Sequence, residues 1–284
     1  MHSDIAATTR RLLKHYSIIP RKRLGQSFLV DPDLLEEILE TARISNQDEV
    51  LEIGAGLGTL TRVLAERASL VQAVEIDPAL LKVLGAELRD LSKLKIIDAD
   101  ILEMPLPKVE TIVSNVPFSI SSPLLLKILE SPTWQRAVLT LQEDFAARLV
   151  AEAGSKDYGR LTLAASYYAE VKLHRSFSPQ SFFPPPRVSS QVVELNRRMK
   201  PAIHVNRPEV FWRLSRILFT QRNRLLSKAL KTLAKGRALP KAWSQVLLEA
   251  APECLLACRV RELSLGDFAA LSDLVSSRAE VGLG

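Results

Sequence analysis

Cysteine is almost absent from this chain: two of 284 residues, Cys254 and Cys258. Two thiols cannot build a disulfide scaffold, so a reducing, cytoplasmic setting is expected, and their spacing in "CLLAC" predicts two core positions on one helix face. Histidine is nearly as scarce, with His2, His15, His174 and His204 scattered without ligand spacing, so no metal site is expected. No run of about 18 consecutive apolar residues occurs, and no apolar stretch of secretory length follows the basic opening segment (Arg10, Arg11, Lys14, Arg21, Lys22, Arg23). Neither a membrane span nor an export signal is expected. Internal repeats and low-complexity tracts are lacking as well.

What is present suits a large folded core. The composition is 47% hydrophobic, and the length fits one big domain, or a big one with a small one. The 38 Lys and Arg against 32 Asp and Glu leave a formal charge of +6, which favours polyanionic partners, nucleic acid among them.

From residue 31 to about 150, short apolar β-branched runs alternate with amphipathic stretches of helical spacing. The runs are "EVLEIG", "LVQAVEI", "KLKIID", "TIVSN" and "AVLTLQ"; between them lie "PDLLEEILETA", "LTRVLAERA", "PALLKVLGAELRD" and "SPLLLKILES". Several of these helices open on Asp-Pro, Ser-Pro or Thr, the residues that cap and start helices. The pattern predicts a doubly wound α/β sheet. "YGRLTLAASYYAEVKLHRSF" and "SQVVELNRR" look strand-like and are expected to extend it, either side of the proline-rich "SPQSFFPPPRVSS". Residues 209–284 read as helical, with Phe211, Leu214, Leu218 and Leu225 on one face. The expected organisation is a basic segment over 1–30, the α/β domain over 31–198 and a small all-helical domain over 199–284.

Chemistry concentrates at the ends of the strands. Gly54, Gly56 and Gly58 follow the first, in "LEIGAGLGTLT", where glycine lets backbone approach a ligand and a helix begins. The spacing is G-x-G-x-G, not the G-x-G-x-x-G of dinucleotide sites. Glu75 ends the second strand, placed for ribose hydroxyls, and Asp100 follows the third, placed to accept from an adenine amine. Any one such acid is as well explained as a helix cap or a solvated loop carboxylate; the ordered three outline a nucleoside pocket. That order resembles the class I S-adenosylmethionine-dependent methyltransferases, with their Rossmann-like sheet, and implies S-adenosylmethionine as cofactor.

The fourth strand ends in Asn115-Val116-Pro117-Phe118, similar to the [N/D]-P-P-[Y/F] and N-L-P-[Y/F] motifs of enzymes that methylate exocyclic base amines. The Asn115 oxygen and the Val116 carbonyl could accept the two amine protons, Pro117 stiffens the turn, and Phe118 offers a face for stacking.

Six motifs in order, "RLGQSFL", "LEIGAGLGTLT", "EID", "NVPFSISSPLL", "KDYGRLTL" and "FFPPPRVSSQVV", resemble the KsgA/Dim1 family of ribosomal RNA adenine N6,N6-dimethyltransferases, in an archaeal-type form, over about residues 10 to 235. The resemblance implies dimethylation of two adjacent adenines in the 3′-terminal hairpin loop of small-subunit ribosomal RNA, by a monomer that binds the small subunit and no membrane. It implies that Gln26, Ser27, Leu29, Gly54, Gly56, Glu75, Asp100 and Asn115 meet the cofactor, and that Phe182 and Phe118 sandwich a flipped adenine. It also implies that Arg222, Arg224 and Lys228 of "FTQRNRLLSKAL" grip RNA phosphates. Core packing is the competing reading of Phe182, and a solvated helix face that of the basic stretch. Ala55 where proline is usual, Ser27 where Asn or His is frequent, and "NVPF" for "NLPY" depart from the commonest pattern. DNA adenine methylation, and a ribosome-assembly factor with weak catalysis, remain as alternatives.

Overall fold

A computed structural model describes residues 4–278 of the chain. The elements of the first part are α1 (Ile5–His15), β1 (Phe28–Leu29), α2 (Pro32–Ala42), β2 (Glu49–Ile53), α3 (Thr59–Arg67), β3 (Leu70–Glu75), α4 (Pro78–Glu87), β4 (Leu94–Asp98), β5 (Thr111–Asn115), α5 (Ser121–Glu130), β6 (Arg136–Gln142) and α6 (Glu143–Ala147). There follow α7 (Arg160–Tyr168), β7 (Ala169–Phe177), β8 (Phe182–Phe183), β9 (Ser190–Arg197), α8 (Pro208–Leu218), α9 (Leu226–Lys235), α10 (Lys241–Ala250), α11 (Glu253–Ala257) and α12 (Leu265–Arg278).

Local sequence explains some of these boundaries. Asp31 and Asp77 cap α2 and α4 by accepting from the backbone N–H of Asp33 (2.9 Å) and Ala79 (3.0 Å), each followed by a proline at the first helical position. Such a cap is worth about 1 kcal/mol. Arg43, in the left-handed conformation, closes α2. Strands β2, β5 and β6 are buried almost throughout, as covered parallel strands require.

The described residues cluster into two compact units, 4–146 with 170–197, and 147–169 with 198–278. In the first, seven strands run in the order β4-β3-β2-β5-β6-β9-β7. Neighbours from β4 to β6 pair in parallel, and β9 runs antiparallel to β6. After β2 the chain moves outward through β3 and β4, then returns to β5 on the other side of β2. The loops leaving β2 and β5 therefore diverge, and a crevice opens at their carboxyl ends. Ser114, buried in β5, ties the two strands there by donating to the Ile53 carbonyl at 2.7 Å. A separate two-stranded ribbon pairs Phe28 with Phe183 and Leu29 with Phe182.

The second unit is helical, and it includes a stretch expected in the sheet. Arg160–Tyr168 is helix, with Leu161, Thr162, Leu163, Ala164, Ala165 and Tyr167 buried. Tyr167 stacks on Phe211 at 5.4 Å, and the Tyr158 hydroxyl donates to the Leu263 carbonyl at 2.8 Å. Packing against α8 and α12 thus draws 147–169 into this unit, so in place of the expected single boundary near 198 the chain crosses between the units three times, after 146, 169 and 197. Phe211, Leu214 and Leu218 are buried as expected, but Leu225 caps the next helix and is half-buried. The expectation of two core cysteines holds only in part: Cys254 is exposed on the short α11, which buries none of its residues, while Cys258, just past that helix, is partly buried against the helical core.

Candidate active site

The crevice at the switch point holds a cavity of about 290 Å³, lined by the ends of the first four sheet strands and by residues 23–29 laid across them. Gly54 begins the loop after β2, at φ +77°, and a Cβ there would stand 3.4 Å from Pro117 Cγ. The glycine loop and the "NVPF" turn thus lie within van der Waals reach, and it is the left-handed φ, not lack of room, that favours glycine at this position. α3 starts at Gly58 with no side-chain cap, and its first-turn residues Thr59 and Leu60 line the cavity.

Glu75, at the end of β3, is held by three backbone donors at 2.9 Å each: Gly56 N–H on Oε2, and the N–H groups of Ile76 and Asp77 on Oε1. A carboxylate has about four lone-pair sites, so one is left for a hydroxyl. Asp100 accepts from the Leu102 N–H through Oδ1 at 2.8 Å, and it too lines the cavity.

Asn115 closes β5, where Val116 N–H still bonds to the Thr140 carbonyl at 3.2 Å. Its side-chain Nδ2 donates to the Ser27 carbonyl at 2.9 Å, which fixes the amide with Oδ1 as the remaining acceptor. Pro117 and the half-buried Phe118 follow on the cavity wall.

The structure gathers Gln26, Ser27, Leu29, Gly54, Gly56, Glu75, Asp100, Asn115, Val116, Pro117 and Phe118 around this one cavity. Phe182 is not among them: it is 2% exposed, set in the core through its pairing with Leu29, so the expected second jaw of the sandwich is a packing residue. Gln26 lines the cavity, yet both ends of its amide are engaged by protein groups, Nε2 by Asp77 and Oε1 by the Arg21 N–H.

Two participants were not anticipated. Glu52, in the middle of the apolar "VLEIG", lines the cavity at 2% exposure, and its Oε2 has no hydrogen-bond partner. Burial pushes its pKa up to about 8, with the Glu75 charge adding to the rise and the Thr61 hydroxyl opposing it. A charged residue inside a buried strand was the available signal. Gly25, at φ +64°, presses residues 23–29 onto the turn so closely that a Cβ would fall 2.9 Å from the Phe118 nitrogen.

In the helical unit, the Arg222 guanidinium donates to the Lys156 carbonyl at 2.6 Å and that of Arg224 to the Thr232 hydroxyl at 2.9 Å, while Lys228 is exposed. A bridge between Leu225 and Arg259 brings Arg259 and Arg261 alongside them. Among the described residues, no group of three or more His, Cys, Asp or Glu could hold a metal ion, and no helix is long and apolar enough to cross a membrane.

A glycine loop, two strand-end acids and a strand-end amide, in that order round the switch point of a parallel sheet, define a class I methyltransferase. The profile of the family described as "Ribosomal RNA adenine dimethylase" matches residues 20–254. The "Probable ribosomal RNA small subunit methyltransferase A" of Methanopyrus kandleri is 40% identical over 94% of this chain and 96% of its own. The "Ribosomal RNA small subunit methyltransferase A" of Geobacillus thermodenitrificans is 37% identical over 84% and 86%. A crystal structure of a dimethyladenosine transferase from Plasmodium falciparum superposes with a TM-score of 0.73 at 27% identity, over 88% of this chain and 98% of that one. That of the 23S rRNA methyltransferase ErmE does so with 0.63 at 28%, over 88% and 99%. The chain belongs to the ribosomal RNA adenine dimethylase family.

Proposed function

We propose that the protein transfers methyl groups from S-adenosylmethionine to N6 of two adjacent adenines in the 3′-terminal hairpin loop of small-subunit ribosomal RNA, as a cytoplasmic monomer acting on the small subunit during its biogenesis. The observation that supports this reading best is the Asn115 amide. With Nδ2 committed to the Ser27 carbonyl, Oδ1 is left as an acceptor at the cavity wall beside Phe118.

An adenine N6 amine is a poor nucleophile, because its lone pair is delocalised into the ring. Asn115 Oδ1 and the Val116 carbonyl, each accepting a hydrogen bond from the amine, pull that nitrogen toward a tetrahedral arrangement and localise the lone pair. Pro117 brings no N–H to compete for those acceptors. Phe118 offers a π-face worth about 1–3 kcal/mol per stacked base.

S-adenosylmethionine supplies a methyl group already activated by its sulfonium. The residues present fit it: Glu75 has an acceptor site left for a ribose hydroxyl, Asp100 an oxygen for an adenine amine, and Glu52 a buried oxygen with no protein partner. In-line transfer to such a methyl depends on holding the nucleophile in place, so positioning by these residues accounts for much of the rate. Arg222, Arg224 and Lys228 contribute cations for RNA phosphates.

Purified protein given labelled S-adenosylmethionine and unmethylated small subunits should place two methyl groups on each of two adjacent adenines. Label on DNA only, on large-subunit RNA only, or nowhere would overturn the reading.

A further inference from the structure

A strap of chain, residues 21–29, contributes its residues 23–29 to the cavity wall, and its hydrogen bonds form a path from the cofactor side to the Asn115 amide. On the cofactor side, Glu75 Oε1 accepts from the Asp77 N–H at 2.9 Å. Asp77, 2% exposed, has its carboxylate spent three ways: Oδ1 caps α4 through Ala79 N–H and meets Arg21 Nη1 at 3.2 Å, and Oδ2 accepts from Gln26 Nε2 at 2.8 Å. Gln26 Oε1 in turn accepts from the Arg21 N–H at 2.7 Å, folding the strap back on itself. One residue on, the Ser27 hydroxyl donates to the Pro184 carbonyl at 2.7 Å, and the Ser27 carbonyl accepts from Asn115 Nδ2 at 2.9 Å.

That last bond decides which way the amide faces. A carbonyl can only accept, so it selects Nδ2 and turns Oδ1 the other way. A flipped amide would present a donor to an amine that also donates. We propose that Gln26 and Asp77 form a latch that orients Asn115: by pinning the strap they place the Ser27 carbonyl, and through it they keep the Asn115 oxygen turned toward the target amine. Gln26 is thereby a positioning residue and not a cofactor ligand. The inference rests on the function proposed above, in which that oxygen accepts a hydrogen bond from the amine.

Gln26→Ala removes the latch, and Gln26→Glu makes it depend on pH. With small subunits and saturating cofactor, Gln26→Ala should slow single-turnover methyl transfer about tenfold to a hundredfold, the scale of an ångström misplacement. The Kd for S-adenosylhomocysteine should stay within about threefold of wild type, since a positioning group acts on the transition state and leaves ground-state binding alone. In Gln26→Glu, two carboxyl groups would meet at the present 2.8 Å contact, with Arg21 and Glu75 as the other charges nearby. They share a proton at low pH and repel when both ionise. Its rate relative to wild type should therefore rise from pH 8.5 to pH 6, while that of Gln26→Ala should not.

Transfer by Gln26→Ala within about twofold of wild type, a loss that appears only in the Kd, or a Gln26→Glu profile parallel to that of Gln26→Ala would each overturn the latch. If Gln26→Ala does not fold, the Gln26→Glu profile decides by itself. Wild-type protein that makes no dimethyladenine would instead refute the proposed function.

Discussion

Replacing Glu52 with Gln separates burying a side chain from burying a charge. The carboxyl is enclosed beside the glycine loop with one oxygen unpartnered, and its pKa rises from 4.5 to about 8 on folding, chiefly through burial. Between those values the unfolded chain has released a proton that the folded protein retains, so stability falls as pH rises. The contribution is fully present below pH 4.5 and lost on passing about 8. At about 1.4 kcal/mol per unit, the loss is about 3 kcal/mol at pH 7 and about 5 kcal/mol above pH 8. Gln has nearly the same volume and does not titrate; its amide carries a burial cost of its own, but that offset is independent of pH. Thermal denaturation of cofactor-free wild type and Glu52→Gln from pH 5 to pH 9 should show the wild-type Tm falling relative to the variant. At about 2–4 °C per kcal/mol for a chain of this size, the relative change is about 10 °C. Parallel curves would refute the reasoning, because they would mean that Glu52 ionises in the folded protein as it does in the unfolded chain.

Asn115→Ala should abolish methyl transfer while leaving the Kd for S-adenosylhomocysteine within about an order of magnitude, since the proposed function gives it chiefly the task of orienting the amine; unchanged turnover in the labelled-methyl assay would exclude the amide. Arg224→Ala with Lys228→Ala should weaken binding of the small subunit and lower its salt dependence by about one unit of log–log slope per lost phosphate contact. An unchanged slope in a salt titration would remove that face from the RNA interface.

Much of the site was legible along the chain, for a geometric reason. In a parallel sheet with helices between the strands, every strand's carboxyl end lies on one edge, so residues that follow successive apolar runs are brought together whatever the details of packing. Gly54, Gly56, Glu75, Asp100 and Asn115 converge on one cavity in that way, and β5 spans the very residues of the "TIVSN" run. Helices α2 and α4 announced themselves through Asp-Pro, whose capping is local chemistry.

What the chain did not announce depends on residues far apart in sequence. Arg160–Tyr168 alternates enough apolar positions to pass for a strand, but it is a helix of the second unit that buries most of its side chains there, Tyr167 against Phe211 among them. Phe182 carries a motif's aromatic ring, but pairing with Leu29, more than 150 positions away, turns it into the core. Glu52 could be seen as a charge in an apolar strand; its high pKa required the walls that exclude water from it. Gln26 matched a cofactor segment, yet Asp77 and the Arg21 backbone take up both ends of its amide. Residue types and their order thus determined which groups meet at the site, because strand and cap propensities are local. Which of those groups face a ligand and which are spent on one another was decided by tertiary contacts, because a hydrogen bond has a direction and a partner that spacing along the chain does not specify.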